Sequence, residues 1–163
     1  MLENLRPLES LVIAQELEKK GHDFYSTAVN TYKIPVIQNM FATLRDQEKR
    51  HLEVFTDLYD KMVEAGEKSL TEDEKRSILD SLGLQKYYFL SFKLEGKIVL
   101  PEDVIRTGIE AERKSIEYYE IFKNFNDDIK TKDVFQSIIE EEKKHEHDLG
   151  EILKLIEERG LDY

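Results

Sequence analysis

Two short stretches of this chain carry residues suited to metal chemistry, Glu48-Lys49-Arg50-His51 and Glu142-Lys143-Lys144-His145. Glu and His three positions apart lie side by side on a helix, so each stretch offers one carboxylate and one imidazole to the same ion. A lone Glu-x-x-His in a charge-rich helix is weak, but these two are related. Sliding the chain 94 positions along itself lays Glu48 on Glu142 and His51 on His145. The same offset lays Glu18 on Glu112. Glu18 shares a helix face with Leu11 and Tyr25, and Glu112 is flanked on its face by Gly108, Ile109, Ile116 and Tyr119. Glu16 and Glu110 fall instead among Lys and Arg on the polar sides. Four inward carboxylates without counter-charge would be untenable, because each costs several kcal/mol to desolvate and like charges add to it. No Lys or Arg takes an equivalent inward position. Two divalent cations would balance them. Oxygen and imidazole donors without sulfur suit iron or manganese, with zinc able to compete. The predicted ligands are Glu18, Glu48, His51, Glu112, Glu142 and His145.

These side chains need helices to carry them. Apolar residues recur at helical spacing along most of the chain. One stripe runs from Leu8 to Tyr32. A second runs from Met40 to Met62 after Pro35, which suits a first helical turn, and stops at Gly66, which suits a left-handed cap. Pro101 opens a third, through Val104 and Phe122. A polar, turn-like stretch from Asn124 to Lys132 precedes a fourth, from Phe135 to Ile156, which ends at Gly160. The offset that relates the acidic residues also lays Phe24-Tyr25 on Tyr118-Tyr119, Phe41 on Phe135 and Gly66 on Gly160. The expectation is an all-α fold with two repeated helical hairpins, about 8–66 and 102–160, packed as a four-helix bundle in one domain spanning 1–163. The connection 67–101 is too long for a tight turn and long enough to run from one end of the bundle to the other. Thr71-Glu72-Asp73-Glu74 reads as a capping box that starts a helix to about Leu82, ending at Gly83. Tyr87-Tyr88-Phe89-Leu90-Ser91-Phe92 reads either as a second short helix over a bundle end or as a partner-facing patch.

Composition narrows the function. The formal net charge of −11 argues against nucleic acid or an anionic membrane surface as the main partner. The absence of cysteine removes disulfides, thiol catalysis and iron–sulfur clusters. No apolar run approaches the length of about 18 residues that a membrane span needs, and the N-terminus lacks the order of a signal peptide, so the expected compartment is the cytoplasm. Tyr25 and Tyr119 lie two turns from Glu18 and Glu112 on the same faces; they are either hydrogen-bond donors to ligand carboxylates or plain core tyrosines. His22 and His147 are expected outside the ligand set, and the run Glu140-Glu141-Glu142-Lys143-Lys144 is expected to be a solvated face with only Glu142 turned inward.

The paired motifs Glu16-Leu17-Glu18 through Phe24-Tyr25 with Glu48-Lys49-Arg50-His51, and Glu110-Ala111-Glu112 through Tyr118-Tyr119 with Glu142-Lys143-Lys144-His145, resemble the rubrerythrin-type diiron domain of the ferritin-like superfamily. The resemblance implies that the second Glu of each Glu-x-Glu doublet is the ligand, that each Glu of Glu-x-x-His bridges or caps the metals, and that each His binds one ion. It implies two Fe ions and a cytoplasmic oxidoreductase that reduces peroxide or O2. Alternatives are a ferroxidase or iron-storage protein, a diiron hydroxylase, and a helical protein with a structural metal site. Two features depart from the family. Rubrerythrins proper carry a rubredoxin domain with four cysteines, and this sequence has none, so electrons are expected from a separate donor. The family's extra Glu, three residues beyond the third-helix ligand, is Ser115 here, and its counterpart in the first half is Gly21. A homodimer is expected from the family alone.

Overall fold

A computed structural model describes residues 5–83 and 100–160. Among these residues there are five helices: α1 Pro7–Thr31, α2 Pro35–Glu64, α3 Glu72–Ser81, α4 Pro101–Phe125 and α5 Ile129–Arg159. The punctuation is in the sequence. All three prolines, Pro7, Pro35 and Pro101, stand at the first turn of a helix, where the missing N–H costs nothing. Gly66, Gly83 and Gly160 take positive φ just past helix ends, at 109°, 62° and 72°, a region that side-chain-bearing residues avoid. Thr71 and Glu74 close the expected capping box: the Glu74 N–H donates to Thr71 Oγ1 at 3.2 Å and the Thr71 N–H to Glu74 Oε2 at 2.8 Å.

One boundary differs from expectation. The turn between α4 and α5 is three residues, 126–128, not Asn124 to Lys132. Asp128 acts as the cap: its Oδ2 accepts from the N–H and the hydroxyl of Thr131, both at 2.8 Å. The polar residues that follow therefore form the first turn of α5. Tyr87 to Phe92, with its two readings, lies outside the described residues.

α1 packs on α2 and α4 on α5 as two hairpins, which meet along α1 with α4 and α2 with α5. Their apolar faces build two core clusters. One gathers Leu11, Leu17, Phe55, Tyr119, Phe122, Phe135 and Ile139, and the other Phe24, Tyr25, Phe41, Ile105, Leu149 and Ile156. Each long helix passes from one cluster to the other. α1 and α5 run in one direction, α2 and α4 in the opposite one. The end of α2 and the start of α4 thus lie at opposite ends of the bundle. α3 leans on α1, with Ile78 and Leu79 against the first cluster. Among the described residues no helix is long and apolar enough to cross a membrane.

Candidate metal centre

Between the two apolar clusters each long helix places acidic residues where an apolar layer would otherwise be. Glu18 comes from α1, Glu48 and His51 from α2, Glu112 from α4, Glu142 and His145 from α5. The structure brings all six together, and none is more than 4% exposed. Donor atoms of Glu18, Glu48, His51 and Glu142 lie within 4.8 Å of one another, as do those of Glu48, Glu112, Glu142 and His145. Glu48 and Glu142 belong to both groups.

Glu142 spans the pair. Its Oε1 is 3.1 Å from His51 Nδ1, and its Oε2 is 2.7 Å from His145 Nδ1. Glu18 Oε2 lies 3.4 Å from His51 Nδ1, and Glu48 Oε1 3.4 Å from His145 Nδ1. The imidazole rings stack, with centroids 5.6 Å apart and planes 17° from parallel. The outer carboxylates are held from the opposite hairpin: Tyr119 Oη donates to Glu18 Oε1 and Tyr25 Oη to Glu112 Oε1. Of the two readings for these tyrosines, the hydrogen-bonded one is found. Gly108 leaves room for Tyr25, whose hydroxyl would sit 3.3 Å from an added Cβ.

The hydrogen-bond inventory is incomplete in a telling way. Among the described residues, Glu18 Oε2, Glu48 Oε1, Glu142 Oε2 and both nitrogens of His145 are buried without a hydrogen-bond partner. The 2.7 Å approach of His145 to Glu142 is a contact out of line for a hydrogen bond. Buried polar atoms are nearly always satisfied, and converging unsatisfied lone pairs fit a cation between them. Without one, the centre must hold protons. Burial drives the Glu48 carboxyl well above its usual range, and the charges of Glu142, Glu112 and Glu18 add to this. Glu142 is pushed up to about 7 by burial and by its neighbours Glu18 and Glu112. Burial favours neutral imidazole, but the facing carboxylates of Glu142, which is hydrogen-bonded to the ring, and of Glu18 outweigh it and raise His51 to about 12. His145 is raised against its own burial by the close carboxylates of Glu112, Glu142 and Glu48. Four carboxylates and two imidazoles without sulfur are a donor set for iron, manganese or zinc.

The neighbouring candidates fall outside. Glu16 pairs with Lys20 at 3.2 Å, Glu110 and His147 are exposed, and His22 sits beside Asp23 at 3.5 Å. One expectation is corrected. Glu141 is not part of a purely solvated face, because α5 turns it toward α2. Its Oε2 accepts from His51 Nε2 at 3.0 Å and from Arg50. Its only signal in the sequence was chemical: an imidazole bound to metal through one nitrogen needs an acceptor for the other. Gly21 also shapes the centre. A Cβ there would stand 2.5 Å from Glu48 Oε2, so the glycine gives that carboxylate its place.

The rubrerythrin family model matches residues 9–153, which takes in all six of these residues and both tyrosines. No curated protein matches the chain.

Proposed function

The chain belongs to the rubrerythrin family, and from that premise we propose that it is a non-haem diiron oxidoreductase that reduces peroxide or O2 with electrons from a separate donor. The observation that carries the proposal is the pair of overlapping donor groups sharing Glu48 and Glu142, with buried atoms left unpartnered between them. Glu18 and His51 would hold one ion, Glu112 and His145 the other, and Glu48 and Glu142 would reach both. When bound, a ferrous pair would supply two electrons to a small oxidant. For peroxide the balance is H2O2 plus two electrons and two protons giving two waters. A centre filled with zinc would have no such redox chemistry.

The protein's own groups prepare that chemistry. Tyr25 and Tyr119 hold one oxygen of each outer carboxylate and so aim the other inward. The apolar clusters above and below exclude water and strengthen each charge interaction in the layer. These 163 residues contain no cysteine and so no thiolate-bound electron relay, which is why a separate donor is proposed. A small oxidant matches a centre this deeply buried.

The test is to load the protein with Fe(II) without oxygen and add peroxide. The expected result is an absorbance change within the mixing time and peroxide loss faster than in metal-free protein. If neither occurs, the metals are structural. If iron is instead oxidised and retained in a many-subunit shell, the activity is iron storage.

A further inference from the structure

The two halves of the centre are not supported alike. His51 turns Nδ1 into the cluster and Nε2 toward Glu141 Oε2, 3.0 Å away, and Arg50 binds the same oxygen. This pairing fixes the ring and assigns the outer proton to Nε2, leaving the Nδ1 lone pair for an ion. His145 has no equivalent. Its Nε2 is buried without a hydrogen-bond partner among the described residues. Gln47 occupies the place that the repeat assigns to Glu141, and Lys144 the place of Arg50. A neutral amide stands where the other half has a carboxylate, and it does not reach the ring.

We propose that the two metal positions of this chain are unequal, the one at His51 being the tighter, and that Glu141, braced by Arg50, is the positioning residue responsible. The proposal deepens the metal reading above and rests on it. Among the predicted donors Glu141 is hydrogen-bonded to His51, and its side chain is 31% exposed, so it acts through the ring rather than as a ligand. Losing such an outer partner typically weakens metal binding by about 10–100-fold.

The test uses the full chain loaded with two equivalents of Co(II), then mixed with excess chelator while metal release is followed. Wild type is expected to release the two ions in two phases of equal amplitude. In Glu141→Ala the slow phase should speed up by about 10–100-fold with the fast phase unchanged. Glu141→Gln, whose amide oxygen still accepts from Nε2, should restore most of the slow phase. Gln47→Glu, made independently, should slow the fast phase. A single phase in wild type, equal acceleration of both phases in Glu141→Ala, or no change in either overturns the proposal. Uptake of fewer than two Co(II) by wild type overturns the dinuclear reading and this inference together, a result separable from the others by stoichiometry alone.

Discussion

Glu16 and Glu18 are two residues apart on α1 and meet opposite fates. Glu18 is 1% exposed and receives a hydrogen bond from Tyr119, while the Glu16 side chain lies at the surface beside Lys20. Helical periodicity alone separates them, and the same holds for Glu112 and Glu110. Glu18→Gln or Glu112→Gln should therefore lower metal content toward one ion per chain, whereas Glu16→Gln or Glu110→Gln should leave it at two. Elemental analysis of anaerobically purified variants decides, and equal losses from both pairs would show the faces assigned wrongly. The inward set was legible because a carboxylate in an apolar stripe violates a strong physical rule. Glu141 was not, because it sits at the boundary of the stripe. Whether a boundary residue meets solvent or a neighbouring ring depends on how α5 packs against α2, which no single-helix pattern contains.

At the level of the elements, the stops and starts could be read from prolines, glycines and a capping box, because each has a local cause. The α4–α5 turn was overestimated since polar residues in the first turn of a helix look like loop until Asp128 is seen capping them. Close approach between helices is harder to read. α1 bears on α2 at Gly21, where Glu48 Oε2 occupies the space of a side chain. Gly21→Ala poses two opposing effects. Alanine favours the helix by roughly 0.8–1 kcal/mol over glycine, but its methyl group displaces the shared carboxylate. The metal-free variant is expected to melt no lower than wild type, yet to bind fewer than two ions. Full occupancy in this variant would refute the packing argument, and a lower melting temperature of the metal-free form would show that the methyl disrupts the bundle itself.

For the molecule as a whole the polar layer makes stability depend on pH and metal together. In the metal-free protein Glu142 titrates near 7, above the usual carboxylate value, and His51 near 12, above free imidazole. Groups raised in this way stabilise the fold fully below their unfolded values, and that stability is lost as pH rises through the folded ones. The Glu142 contribution fades from about pH 4.5 to 7 and that of His51 from about 6.5 upward. Metal replaces those protons and competes best where they are already leaving. Chelator should therefore lower the melting temperature much more at pH 8 than at pH 5; equal shifts at both pH values, or none, would count against a charged layer in need of cations. The membership of the donor groups has one more consequence. Each group takes three residues from one hairpin and a single carboxylate from the other. A solitary hairpin is thus one ligand short, but two unlinked copies side by side would complete each other. The chain has the form of two such hairpins joined in one sequence, and joined halves need not be identical. Glu141 against Gln47, and Gly21 against Ser115, are places where that freedom has been used.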